Sequence, residues 1–404
     1  MDTISIERIE AAVKRSGAGF LSKAFTPAEL AYCAGRPERL AGRWAAKEAV
    51  IKCFAGTPIR LPRRRIEVLP DADGAPRVRL IGEAFGAEVE LSITHAGGIA
   101  VATAMLELRA DEPRLLPAPI DVSLPHRPPD AHKGSFGTVV VLAGSLGLTG
   151  AAYLSSAGAV RSGAGLVRLL VAESLYPVLA TKCTEVMATP VAEVVPGAIG
   201  HSALDVVLRH LNQAQTGLVG PGLGRDSSTW RLVVDLVAQA AVPLVVDADG
   251  LNALADNPRS LRRLPANRVF TPHAGEMARL LKISVAEVQA DRLGSAQRAA
   301  ALWEAVVVLK GARTLVAAPD GRHSEDPHQV PALATGGTGD VLGGILAGLM
   351  AQGSEPFTAA VTAVYVHAAA GRHLAHLQGD SGLLASELLP QVPRIMARLR
   401  EGGF

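Results

Sequence analysis

From about residue 130 onward the chain repeats one pattern: a short apolar run, a turn motif rich in glycine, aspartate or lysine, and a helix-length segment. Thr138 to Leu142, Leu244 to Val246 and Val306 to Leu309 are three such runs. Strands alternating with helices in this way predict an α/β domain with a mostly parallel central sheet covered on both faces. Ligands of such sheets bind beyond the carboxyl ends of the strands, which is where the motifs fall. The 404 residues, 49% of them hydrophobic, suffice for two or three domains with sizeable cores.

The richest motif is Ala334-Thr335-Gly336-Gly337-Thr338-Gly339-Asp340, which runs directly into Val341-Leu342-Gly343-Gly344-Ile345-Leu346. Glycines let successive N–H groups converge, and the apolar run places those groups at a helix N-terminus. The result is an anion hole with a carboxylate at its rim. The helix end offers about half a positive charge to a phosphoryl group, and Asp340 can take a proton from a hydroxyl attacking that group. Taken alone, the string is equally a glycine turn with a capping aspartate. Five further motifs at strand ends favour a site: His132 to Gly137 with Gly150-Ala151-Ala152, Gly220 to Gly224, Asp247-Ala248-Asp249, Thr271 to Glu276, and Leu309 to Thr314.

Before this region, Arg109 to Pro129 is broken by prolines and mixed charges and reads as a linker between residues 1–108 and 130–404. Residues 1–108 mix helical patterns (Ile6 to Val13, Leu40 to Phe54) with strand-like runs (Ile66 to Leu69, Val78 to Ile81, Val89 to Thr94, Ala100 to Leu106). Arg43 to Lys52 is alanine-rich and free of helix breakers. Glu48 and Lys52, four apart, read first as an exposed helical pair. Asp2, Glu48 and His95 would alternatively meet, two carboxylates suiting magnesium on a pyrophosphate, with Lys47, Lys52 and Arg63 to Arg65 facing the remaining phosphates.

A net charge of +2 and 4% aromatic residues exclude a nucleic-acid binder built on charge and stacking. Three cysteines, Cys33, Cys53 and Cys183, form neither a disulfide framework nor a zinc pattern. No apolar run is long enough for a membrane span, and acids occupy the positions where a signal peptide needs bases. A cytoplasmic protein without membrane partners is expected.

The motifs HKGSFG, GPGLG, DADGLN, TPHAGE, LKGART and ATGGTGD, in this order across about 280 residues, resemble the ADP-dependent NAD(P)H-hydrate dehydratase family, a branch of the ribokinase-like fold. The resemblance implies removal of water from hydrated NADH and NADPH with ADP or ATP and magnesium. It implies contacts to the hydrate from Ala151, Gly222, His273 and Asp340, with Asp340 catalytic. Lys310, Gly311, Ala312, Arg313, Thr314 and Gly339 would meet the nucleotide. The segment Ser324 to Pro331 lacks the Thr-Gly-Asn pattern that the family carries before this loop. A small-alcohol kinase of the same fold is the alternative.

Residues 1–108 resemble holo-acyl-carrier-protein synthase, a small α+β phosphopantetheinyl transferase, through Asp2, Ile6 to Ile9, Phe25 to Leu30, RWAAKEAVIK, Ile66 to Val68 and SITH. This implies transfer of phosphopantetheine from coenzyme A to acyl carrier protein, with Asp2 and Glu48 as magnesium ligands and Glu48 catalytic. Two departures stand out: only Met1 precedes Asp2 where the family has a short strand, and the loop Phe54 to Pro58 is altered. A non-catalytic oligomerisation module is the alternative. Both resemblances imply a homo-oligomer.

Overall fold

The computed structural model describes the chain except for residues 55–60, 82–86, 109–114, 263, 266 and 402–404. It divides into two compact units, Met1–Glu112 and Pro113–Phe404.

In the first unit β1 (Asp2–Ser5) leads into α1 (Ile6–Ala24), α2 (Pro27–Cys33) and α3 (Pro37–Cys53). These are followed by β2 (Ile66–Pro70), β3 (Pro76–Leu80), β4 (Ala87–Ala96) and β5 (Ile99–Leu108). β2 and β3 form an antiparallel pair, and β1, β5 and β4 form an antiparallel sheet in that order. The unit is α+β. Asp2 pairs with Ala102, so β1 starts at the aspartate itself. Ala41, Ala45, Ala46 and Ala49 are fully buried on α3. Small residues bring this helix close to the sheet: a Cβ added at Gly42 would stand 3.2 Å from Ile93 Cγ2. Residues 55–58 of the altered loop lie outside the described residues.

The second unit begins with β6 (Thr138–Leu142), α4 (Thr149–Arg161), β7 (Leu166–Ala172), α5 (Tyr176–Lys182), β8 (Met187–Val191) and a short hairpin, β9 (Glu193–Val195) and β10 (Ala198–Ile199). Next come α6 (Leu204–Leu211), β11 (Thr216–Val219), α7 (Ser227–Gln239), β12 (Leu244–Val246), α8 (Asp249–Asp256), β13 (Arg268–Phe270), α9 (Ala274–Leu281), α10 (Val285–Ala290) and α11 (Arg292–Trp303). The unit closes with β14 (Val306–Leu309), β15 (Leu315–Ala317), β16 (His323–Glu325), α12 (Thr338–Ala351), α13 (Pro356–Gln378) and α14 (Ala385–Arg400).

Nine of these strands form one sheet, in the order β16-β15-β14-β13-β12-β11-β6-β7-β8. It is parallel from β14 to β8, and β15 and β16 extend it antiparallel. Val245, Val307 and Val308 are fully buried, as strands covered on both faces require.

α12 and α4 pack through glycines. A Cβ at Gly344 would lie 2.1 Å from the Ser155 carbonyl oxygen, and one at Gly158 would lie 2.7 Å from that of Val341. Gly344→Ala is expected to cost about 1–3 kcal/mol, because backbone cannot yield as a side chain can. Denaturant unfolding measures it, and an unchanged midpoint would show that the two helices can part.

The proline-rich stretch is not a free linker over its described length. Leu115 is buried, Tyr365 Oη donates to the Leu116 carbonyl, and Ser123 N–H donates to Thr362 Oγ1 at 3.0 Å. Prolines remove its periodicity, but α13 supplies hydrogen-bond partners to the extended backbone. Among the described residues no helix is long and apolar enough to cross a membrane.

Candidate active site

The loops after five parallel strands converge with the start of α12. β6 runs out into Gly144, β11 into Gly220, β12 into Asp247, β13 into Thr271 to His273, and β14 into Lys310. Gly337, at φ 92°, turns the chain into α12 and offers no side-chain cap, so the first N–H groups of that helix stay available to an anion. Asp340 lies in this first turn.

Lys310 draws the acidic groups together. Its ammonium pairs with Asp247 Oδ1 at 2.7 Å and lies 3.9 Å from Glu276 Oε2. Burial works against its charge, but Asp247, Glu276 and Asp340 outweigh burial and hold its pKa above the ordinary lysine value. Burial, reinforced by Asp247 and opposed by Lys310, pushes the Asp340 carboxyl up to about 7. Burial likewise pushes Glu276 up to about 7. A carboxyl poised near neutrality is matched to proton abstraction.

His273 caps α9. Its Nδ1 accepts from the N–H groups of Gly275 (2.9 Å) and Glu276 (3.3 Å), while the Glu276 carboxylate accepts from the His273 N–H at 2.8 Å. These bonds assign the ring proton to Nε2, 3.4 Å from Glu276 Oε1. Burial and the nearby Lys310 lower its pKa, which keeps the ring neutral at pH 7. Ala151 and Gly222 meet: a Cβ at Gly222 (φ 61°) would stand 2.9 Å from that of Ala151, so the pair forms one wall of small residues. Ala248, at φ 49° and ψ −117°, occupies a conformation rare outside glycine. This turn separates its neighbours: Asp247 reaches Lys310, and Asp249 Oδ2 accepts from the Gly224 N–H at 2.9 Å.

A cavity of about 890 Å³ opens beside these groups, lined by His273, Lys310, Gly311, Ala312, Thr314 and Gly339 on one side. Val364, His367 and Ala368 of α13, Thr338 and Leu342 of α12, and most of the segment from Asp326 to Gly336 line the rest. Arg313 is not among the lining residues; its carbonyl accepts from Arg292. In the divergent segment, His328 Nδ1 meets Asp326 Oδ1 at 2.9 Å, and the histidine ring packs edge-on against Tyr365. Two groups escaped the sequence analysis. Glu276 sat in a recognised motif without a role, and His367 lies in an apolar helix with no motif at all. His367 Nε2–H donates to the Thr338 carbonyl at 2.9 Å, and burial brings its pKa down to about 4, so the neutral ring braces the start of α12.

In the first unit Asp2 pairs with Lys52 at 2.6 Å and Glu48 with Arg63 at 2.5 Å. The electrostatics of Lys52 place it within reach of both carboxylates, which raise its pKa, Asp2 the more strongly. His95 stands on β4 two residues beyond Ile93, which shares the Ala102 position of the sheet with Asp2. Lys47, expected to face phosphate, is instead fully buried and ion-paired to Glu29 at 2.6 Å, donating also to the carbonyls of Ala24 and Arg63. It ties α3 to the chain around it. Among the described residues no three His, Cys, Asp or Glu side chains gather to hold a metal. Asp2 and Glu48, both near Lys52, are a donor set of the size magnesium uses when phosphate oxygens and water complete its shell.

Comparison with known proteins follows the same division. Residues 139–394 match the profile of the NAD(P)H-hydrate dehydratase family, and residues 1–104 match that of the 4'-phosphopantetheinyl transferase superfamily. The chain belongs to the NAD(P)H-hydrate dehydratase family. An ADP-dependent (S)-NAD(P)H-hydrate dehydratase from Xanthomonas campestris is 38% identical over 68% of this chain and 93% of its own length. The bifunctional NAD(P)H-hydrate repair enzyme Nnr of Moorella thermoacetica is 45% identical over 69% of this chain and 52% of its own. The chain thus spans about half the length of the first curated relatives it matches. The ADP/ATP-dependent dehydratase of Bacillus subtilis, crystallised with ATP and Mg2+, superposes with a TM-score of 0.58 at 32% identity, covering 68% of this chain and 94% of that one. In this chain the dehydratase domain follows a transferase-superfamily domain.

Proposed function

We propose that the second unit removes water from the hydrated forms of NADH and NADPH, with ADP or ATP as co-substrate. Asp340 carries this reading: a carboxyl pushed up to about 7, in the first turn of α12, beside Lys310 and a cavity of nucleotide size. The hydrated ring lies against Ala151, Gly222 and His273, and the nucleotide phosphates against the loop at Gly337 to Gly339 and Lys310. Gly311, Ala312 and Thr314 carry the nucleotide from the cavity wall, with Arg313 between them in sequence.

Asp340 accepts the proton of the hydrate's hydroxyl as that oxygen attacks the terminal phosphoryl group. The bond from that phosphorus to the nucleotide's bridging oxygen breaks, and the nucleotide leaves one phosphate shorter. Loop N–H groups and Lys310 absorb the charge, the main source of acceleration in phosphoryl transfer. The phosphate then departs from its ring carbon as the neighbouring carbon loses a proton, restoring the conjugated ring. Magnesium bound through the phosphates would neutralise charge on the transferred group; Asp249, with no ion pair among the described residues, is a carboxylate suited to hold it. Product analysis separates this reaction from a kinase, which would release a stable phosphate ester. The family match disfavours the kinase.

The first unit, in the same proposal, transfers phosphopantetheine from coenzyme A to acyl carrier protein. Asp2 and Glu48 would hold magnesium, and Lys52 and Arg63, paired to them in this structure, would serve the diphosphate. Glu48→Gln keeps helical shape and removes one ligand. Mass spectrometry of apo carrier protein with coenzyme A and magnesium is expected to show modification by the wild type and at least tenfold slower modification by the variant. Equal rates would remove Glu48 from the site. Free cysteines agree with a reducing, cytoplasmic setting, and self-association is expected from the transferase likeness.

A further inference from the structure

A second, open cavity of about 390 Å³ is lined by Arg225, Trp230, Asn252, Asp256, Arg279 and Lys282. It brings three cations to one concavity against a single carboxylate. Arg225 and Arg279 make no ion pair among the described residues, and the Lys282 ammonium donates only to the Ala255 carbonyl, at 2.7 Å. Such an arrangement is built to receive phosphate. The half-buried Trp230, whose indole N–H is fixed on the Gly224 carbonyl at 3.0 Å, adds a flat apolar wall, and Asp256 an acceptor for a sugar hydroxyl.

A continuous chain of contacts ties this cavity to the reacting centre. Arg279 donates through Nε and Nη2 to Asn252 Oδ1 at 3.1 and 3.0 Å; Asn252 Nδ2 donates to Asp249 Oδ1 at 3.2 Å; and Asp249 Oδ2 accepts from Gly224. Arg279 also folds back along α9, its Nη1 lying 3.8 Å from where a Cβ on Gly275 would stand, and its charge lowers the pKa of His273. Arg279 thus links this cavity to the helix that His273 caps, and His273 itself lines the nucleotide cavity beside Lys310.

We infer that this cationic cavity holds the phosphate-bearing adenosine half of the dinucleotide hydrate, while its nicotinamide half sits at Asp340. The inference rests on the proposed dehydratase reading. Two substrates that both carry adenosine phosphates are thus held in two separate cavities. Asn252 positions Arg279 and Asp249 together, linking occupancy of the cavity to the Gly220 to Gly224 turn.

The test uses the full chain carrying Arg225→Gln and Lys282→Gln, which leaves the Arg279–Asn252–Asp249 chain intact, and a second variant, Arg279→Gln. Loss of charged phosphate contacts is expected to raise KM for the NADPH hydrate roughly tenfold or more. KM for ADP should move less than about twofold, and kcat at saturation should hold in the double variant. The hydrate of reduced nicotinamide mononucleotide, which lacks the adenosine half, should be turned over alike by wild type and double variant. An unchanged KM for the full hydrate, or equal losses with the truncated one, would overturn the inference. If the wild type dehydrates neither hydrate, the dehydratase reading itself fails. NADPH binding followed by its fluorescence then decides the cavity separately: weaker binding to the double variant supports it, and equal binding overturns it.

Discussion

Asp340→Asn is expected to fold like the wild type and to lose about 10²–10⁴-fold in dehydration rate, the usual contribution of a positioned general base. The amide keeps the shape of the carboxyl but cannot accept the hydroxyl proton. Wild-type activity, before substrates bind, should rise with pH through about 7 as the carboxyl ionises, and the variant should lack that limb. Stability moves the other way. The folded pKa of Asp340 lies above the unfolded value, so the native state holds an extra proton between roughly pH 4 and 7 and loses stability as pH rises through that window. Relative to wild type, the variant should therefore gain about 1–4 kcal/mol at pH 8 compared with pH 4. Thermal unfolding at the two pH values reads this difference. An identical pH dependence in both proteins would contradict the perturbed carboxyl.

Lys310→Ala is the second large effect. It leaves Asp247, whose side chain is 2% exposed, without its 2.7 Å partner. Breaking a buried pair from one side typically costs about 3–5 kcal/mol, because the remaining charge stays desolvated. The same ammonium is expected to meet phosphate, so KM for ADP should rise roughly tenfold or more, and KM for the hydrate much less. Because Lys310 holds the Asp340 pKa down, its removal should also displace the activity profile to higher pH. Equal rises in both KM values, measured across a pH series, would count against a nucleotide contact.

Much of this was legible in the residues. Thr138 to Leu142, Leu244 to Val246 and Val306 to Leu309 form strands with the bounds their apolar runs suggested, because a two-sided buried strand has a simple signature. The motif at Asp340 announced its helix by glycine followed by an apolar run. Lys47 differs from its expected place facing phosphate for a physical reason: its partner Glu29 is brought in by α2, which spacing along α3 cannot reveal. Proline content makes residues 109–129 read as a linker, since the partners of Leu116 and Ser123 are side chains of α13 more than two hundred residues away. His367 left no signal, because its role is one hydrogen bond to the Thr338 carbonyl from within an apolar helix. The strain at Ala248 is equally invisible, as alanine there gives no hint of a positive φ.

The central claim is that the site at the N-terminus of α12 couples phosphoryl transfer from a nucleotide to loss of water. The most direct measurement follows recovery of the reduced nicotinamide absorbance band when purified chain is mixed with NADH hydrate, magnesium and ADP or ATP, with wild type and Asp340→Asn side by side. The expected result is NADH formed in step with inorganic phosphate and shortened nucleotide by the wild type, and recovery slowed about 10²–10⁴-fold in the variant. Accumulation of a stable phosphorylated hydrate without NADH, or equal recovery by both proteins, would contradict it.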